Sequence, residues 1–126
     1  MVETANESRH LEDQVREVSV TEATQKAWTR LSETSVGHTA VTLLKQPLIR
    51  AVLMVMRAGS KIPEHTANGD LTLQVLKGKI RFRVNQKALS LAHGQLLTVG
   101  GNLPHDLEAD EDAELILTIA MQPSKG

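Results

Sequence analysis

The sequence predicts an all-β protein, with a single antiparallel β-barrel that follows a short helical segment. From Gly37 onward, apolar segments are separated by Gly, Pro and Asn at intervals of about ten residues, which is the pattern of a β-sandwich or barrel. The 126 residues are enough for one hydrophobic core but too few for two. We therefore expect a polar N-terminal segment over residues 1–36 and one barrel over residues 37–122.

The N-terminal segment has apolar residues at helical spacing, which predicts one or two short amphipathic helices. Two series recur every three or four residues: Leu11, Val15 and Val18, then Ala23, Ala27 and Leu31. Because the ring of Trp28 is the largest apolar group in this segment, we expect it to hold its helix against the barrel.

The barrel region predicts eight or nine strands. Alternation is cleanest in residues 79–84, where Ile80, Phe82 and Val84 would face inward and the basic residues between them outward. Eight segments are assigned as strands: 38–45, 48–56, 71–77, 79–84, 88–91, 96–99, 105–109 and 114–121.

Two of these strands, 48–56 and 114–121, are apolar at nearly every position, so both of their faces should be covered. One cover would be the barrel interior. The other would be the N-terminal helix or a second subunit, and we expect a homodimer.

Composition excludes several classes of partner. The formal charge of −1 provides no field that would attract nucleic acid or anionic lipid, and no apolar run is long enough to span a membrane. The sequence has no cysteine, so a metal would be held by histidine, carboxylate or water, and a reducing cytoplasm is the expected location. We expect neither a nucleic-acid nor a membrane partner.

A first motif runs from Gly59 to Gly78. It resembles the first conserved motif of the cupin superfamily, which reads glycine, five residues, His-x-His, three or four residues, glutamate, six residues, glycine. Gly59, His65 and Gly78 match this pattern, whereas Ala67 replaces the second histidine and Leu71 the glutamate. The two glycines are also expected to form strand corners with positive φ.

A second motif runs from Gly94 to Ala109. The corresponding cupin motif reads glycine, five residues, proline-x-glycine, two residues, histidine, three residues, asparagine. Gly94 and His105 match, whereas Gly100, Asn102 and Ala109 replace the proline, the glycine and the asparagine. Together the motifs resemble those of short single-domain bacterial cupins, which implies an RmlC-like jelly-roll barrel.

The resemblance also implies a metal site of three histidines and a glutamate, of which this chain keeps His65 and His105. These two are candidate ligands for Zn, Ni, Fe or Mn, and the recruits that the sequence offers are His38, Asp70 and Gln74. Alternation directs Gln74 outward, and Asp70 would serve only after a register slip. A catalytic metal centre needs at least three protein ligands.

Two functional hypotheses follow. The first is a small-molecule-binding cupin, acting as a sensor or accessory protein, whose small organic ligand contacts His65, His105, Met54 and Leu71 at the barrel mouth. The second is a metal-dependent cupin enzyme, an oxygenase or isomerase of a small organic acid, with His65 and His105 as ligands. A purely structural or protein-interaction role through the apolar strands is a third class.

Overall fold

The computed structural model describes residues 15–122, which form a helix and nine strands in two antiparallel sheets. One sheet has the strand order β1-β2-β9-β4-β7 and the other the order β3-β8-β5-β6. The elements are α1 (Val20–Ser32), β1 (His38–Lys45), β2 (Ile49–Met56), β3 (Lys61–His65), β4 (Leu71–Lys77), β5 (Lys79–Val84), β6 (Lys87–Ala92), β7 (Leu96–Val99), β8 (His105–Ala109) and β9 (Ala113–Ala120).

Helix α1 matches the second apolar series of the sequence. Ser19 caps its N-terminus by accepting a hydrogen bond of 3.1 Å from the amide of Glu22. The first series is not helical where it is described, because residues 15–19 have no regular structure, while Leu11 lies outside the described residues. In the described part of the chain, no helix is long and apolar enough to cross a membrane.

The outer face of β2 packs against α1. Ala27 and Leu31 of the helix are buried with Leu53 and Val55 of the strand, and the indole of Trp28 donates a hydrogen bond of 2.7 Å to the Glu114 carboxylate on β9. The prediction that Trp28 holds its helix on the barrel is confirmed. The outer face of β2 was predicted to be covered by the N-terminal helix or by a second subunit. The structure shows the helix on this face, and the homodimer stays a prediction.

All eight predicted strands are present, with bounds that agree to within one residue. The strand that was not assigned to residues is β3, a mostly exposed edge strand. It contains Pro63, and its ladder with β8 shifts register between Ile62 and His65. Proline in a sheet is confined to edges and irregularities, because it cannot donate to the ladder.

The core lies between the two sheets. Ile80 and Phe82 are fully buried, as alternation predicted, and Val84 is half-buried. Their basic neighbours face solvent and pair with acids of β8 and the turn that follows it: Arg83 contacts Asp106 at 2.8 Å, and Arg81 contacts Asp110 at 3.4 Å.

The corner at Gly78 fixes how the two sheets connect. Gly78 has φ +84°, and a Cβ there would lie 2.1 Å from the carbonyl oxygen of Asp112, so only glycine fits. Gly59 also has positive φ, as predicted, and so does Gly94.

Because β4 reverses into β5 at Gly78, the start of β4 and the end of β5 lie at the opposite end of the barrel. Leu71 pairs with Ile119 there, while Val84 pairs with His105 and His105 with His65. We call this end, defined by these five residues, the histidine end.

Candidate ligand-binding site

The two matched histidines form one pair. His65 ends β3 and His105 begins β8, and the ladder places them opposite each other. Their ring centroids are 4.4 Å apart, with the planes inclined at 70°. His65 is exposed, whereas His105 is 3% exposed and stacks on Phe82 at 5.2 Å. The structure thus brings these two candidate site residues together.

Each ring is held by a backbone carbonyl two residues earlier. Nδ1 of His65 lies 2.9 Å from the oxygen of Pro63, and Nδ1 of His105 lies 2.8 Å from the oxygen of Leu103. A carbonyl can only accept, so Nδ1 carries the proton in both rings and donates it. In the neutral rings Nε2 is therefore the unprotonated nitrogen, which can accept a hydrogen bond or bind a metal.

Burial favours the neutral form of His105. Removal of the ring from water lowers its pKa below the ordinary value of 6.5, and the nearby His65 lowers the pKa further. The hydrogen bond to Leu103 and the charge of Asp106 act in the opposite direction without reversing the shift. An imidazole with this pKa is an acceptor at neutral pH.

The neighbouring carboxylates do not complete a catalytic dyad or a metal site. Asp106 faces outward, where it accepts a hydrogen bond from Arg83, and Asp70 accepts one of 2.8 Å from the amide of Gly101. Gln74 is exposed, as predicted, and His38 pairs with Met56 in the other sheet.

The donor set does not fit a catalytic metal ion. Within residues 15–122, no three His, Cys, Asp or Glu side chains lie close enough together to bind a metal. The positions of the missing ligands are apolar: Leu71 is buried in the core and Ala67 packs against it. Two imidazoles alone fall short of the three protein ligands that catalytic sites use.

The other two residues predicted to contact a ligand, Leu71 and Met54, differ in their burial and in their distance from the histidine end. Leu71 lies at the histidine end and is 4% exposed. Met54 is half-buried and packs against the same core, but it pairs with Leu115, further from that end. The role of both residues in ligand binding stays a prediction.

Sequence reasoning missed Arg50 of β2. Its ladder partner on β9 is Ile119, which packs against the core at the histidine end. Its Nε atom is buried and has no hydrogen-bond partner. Alternation counted back from Met54, which was predicted to contact the ligand, would have placed Arg50 on the same inward face.

Comparison with known proteins identifies structures with a similar fold. The sequence matches no family model and, at a significant level, no curated protein. The structure resembles a conserved protein of unknown function from Streptococcus pyogenes, with TM-score 0.66 and 21% identity, over 72% of this chain and 80% of that one. It also resembles a cupin superfamily protein from Desulfitobacterium hafniense, with TM-score 0.65 and 14% identity, over 68% and 78% of the two chains.

A third similar structure is salicylate 1,2-dioxygenase from Pseudoaminobacter salicylatoxidans with gentisate, at TM-score 0.71 and 23% identity. The match covers 79% of this chain and 31% of the dioxygenase. The two facing sheets, the glycine corners and these neighbours agree with the resemblance found in the sequence. The protein therefore has the fold of the RmlC-like cupins.

Proposed function

We propose that the protein is a small-molecule-binding cupin, a sensor or accessory protein whose ligand binds at the histidine end. One observation carries the proposal: two neighbouring imidazoles, each fixed through Nδ1, leave both Nε2 atoms as acceptors without a third metal donor in the described chain. Fixed acceptors beside apolar walls are typical of small-ligand sites, where a few polar groups orient a mostly apolar contact.

The second candidate is a metal-dependent enzyme, an oxygenase or isomerase of a small organic acid. Its support is the hydrogen bond from each Nδ1 to a carbonyl, because metal-binding histidines commonly donate their other nitrogen in this way. One similar structure is also a dioxygenase. It ranks second because the sites of Ala67 and Leu71 provide no donor.

Elemental analysis of protein purified without a histidine tag separates the two candidates. The binding proposal expects less than stoichiometric Zn, Ni, Fe and Mn, both as purified and after incubation with each ion and desalting. Stoichiometric metal that His105→Ala removes and His93→Ala retains would contradict it. His93 is exposed and lies outside the pair, so it controls for the loss of an imidazole.

A thermal-shift screen of small organic compounds tests binding itself. Ligands should raise the melting temperature of the wild type and of His93→Ala. They should raise that of His105→Ala less, because His105 belongs to the histidine pair and His93 does not. Hits that stabilise all three proteins equally would show that binding occurs elsewhere.

We also propose that the protein forms a homodimer through the part of the first sheet that α1 leaves uncovered. Exposed apolar side chains support this surface: Leu48 at 56%, Ile49 at 48% and Leu96 at 67%. A cleft of about 200 Å³ lies among Leu48, Ile49 and a row of threonines on the same face. Light scattering should give the mass of a dimer for the wild type and of a monomer for Leu96→Glu.

A further inference from the structure

Arg50 points into the barrel. Met54, four residues later on β2, packs against the core, and the β2–β9 ladder is regular from Ile49 to Met56. Because side chains alternate between the faces of a strand, Arg50 lies on the same face as Met54. The intervening Leu53 packs on the other face, against α1.

Arg50 also lies at the histidine end, on the sheet that faces the imidazoles. It pairs with Ile119, which pairs with Leu71 at the start of β4. His65 and His105 lie at the same end of the opposite sheet. Facing sheets pack about 10 Å apart, so one small molecule bound at this end would be long enough to reach both the guanidinium and the imidazoles.

The guanidinium of Arg50 is incompletely satisfied by the protein. Its Nε has no exposed surface and no hydrogen-bond partner. An unmade hydrogen bond at a charged group is costly, and planar carboxylates satisfy an arginine best, since Nε and a terminal nitrogen can donate to their two oxygens in parallel.

The charges at the histidine end favour an anion. Lys45 pairs with Arg50 at the edge of β1, and Lys87 pairs with Val84 at the same end. Of the described carboxylates at this end, Asp70 accepts from a backbone amide and Asp106 bonds to Arg83 on the outer surface. The remaining one, Glu64, is exposed.

We propose that the ligand is a small hydroxycarboxylic acid, with its carboxylate on Arg50 and its hydroxyl donating to Nε2 of His65 or His105. This inference rests on the proposed function and names its ligand class. The assignment follows from complementarity, because a guanidinium only donates and an unprotonated Nε2 only accepts. The apolar part of the acid then lies against Leu71 and Ile119, which line this end of the core.

Two matched series of probes test the assignment by calorimetry and thermal shift at neutral pH. The first is lactate, propionate and lactamide, and the second is salicylate, benzoate and salicylamide. In each series the second compound lacks the hydroxyl and the third lacks the charge. We expect the hydroxy acid of at least one series to bind best, the plain acid more weakly, and the amide about tenfold or more weakly than the hydroxy acid.

Variants of Arg50 locate the carboxylate. Arg50→Gln should reduce the affinity for the hydroxy acid to that for the amide, about tenfold or more, whereas Arg81→Gln should leave it unchanged. Arg81 is the matched control because it loses the same charge on the outer surface, where it pairs with Asp110. Without ligand, Arg50→Met should melt at the same or a higher temperature than the wild type, since it removes an unpartnered buried Nε.

Each contrary outcome overturns the inference in a recognisable way. Equal binding of acid and amide, or unchanged acid binding by Arg50→Gln, removes the carboxylate from Arg50 while leaving small-molecule binding intact. An equal loss in Arg81→Gln would reveal unspecific charge attraction. A ligand-free Arg50→Met that melts well below the wild type would show that Arg50 has a structural partner. If neither series binds but the broad screen finds other ligands, the ligand class is wrong and the proposed function stands.

Discussion

Arg57 joins helix α1 to the barrel, and its replacement by methionine tests how much that joint contributes to stability. Arg57 comes directly after β2, and its guanidinium donates to three backbone carbonyls at and just after the C-terminal end of the helix. The bond to Leu31 is 2.6 Å long and partly buried, whereas those to Val36 and Thr34, at 3.2 and 3.3 Å, are exposed. Methionine keeps most of the aliphatic stem and removes every donor.

Of the three bonds, the partly buried one to Leu31 should contribute most to the free energy of unfolding. A hydrogen bond from a charged group contributes about 1.5–3 kcal/mol, while water replaces the exposed bonds at little cost. The cation also stabilises the negative end of the helix dipole by about 0.3–1 kcal/mol. We therefore expect Arg57→Met to lower the free energy of unfolding by about 2–4 kcal/mol.

Urea denaturation monitored by circular dichroism measures this loss, provided that the slope against urea is unchanged. The matched control is Arg81→Met, which breaks an exposed pair of 3.4 Å with Asp110 and should cost less than about 0.5 kcal/mol. Equal effects of the two variants, or a loss below about 0.5 kcal/mol for Arg57→Met, would refute the reasoning. They would show that partial burial of the bond to Leu31 does not increase its contribution to the free energy of unfolding.

Two further predictions concern the histidine end. Burial lowers the pKa of His105 in the folded state, so below about pH 6.5 the unfolded chain binds more protons than the folded protein. The free energy of unfolding should therefore be at its full value above that pH. Below it, the free energy of unfolding should fall by up to about 1.4 kcal/mol for each unit by which the pH decreases. Urea midpoints of His105→Gln should lack this decline and those of His93→Gln should keep it; the same decline in both variants would contradict the assignment. Gly69→Ala should destabilise by about 1–3 kcal/mol or more, because its Cβ would lie 1.8 Å from the carbonyl oxygen of Ala120. Gly100→Ala, whose Cβ would meet only a leucine methyl at 3.7 Å, should melt close to the wild type, and a small loss at Gly69 would contradict the close packing there.

The strands could be predicted because their signals are local. In β5, inward apolar and outward basic residues alternate without interruption. Gly78 marks the corner before this strand, where close contact with the backbone of Asp112 leaves room only for glycine. Strand β3 could not be assigned in the same way. It packs little apolar surface, and its pairing depends on β8, which is about 40 residues later in the chain and leaves no periodicity in β3 itself.

The site was predictable to the extent that it lies in the motifs. The spacing of His65 and His105 from the motif glycines was sufficient to identify the two residues whose rings lie together in the structure. Arg50 was missed because it carries no motif and opens an apolar strand, where an arginine resembles an ordinary rim residue. Its inward direction follows from alternation, but the unpartnered Nε depends on packing between two sheets, which no local pattern contains.

The replacement of two metal ligands and the presence of Arg50 affect the site in the same direction. Leu71 and Ala67 place apolar groups at the two positions where the cupin motif has metal ligands, so a cation would find no donor at either position. A guanidinium across a gap of about 10 Å would add repulsion of about 3 kcal/mol toward a divalent ion at an effective dielectric constant of about 20. The same charge attracts a carboxylate. A site with two imidazoles and one inward cation is thus better suited to an organic acid than to a metal. We expect His65→Ala to weaken binding of the acid without creating a metal site.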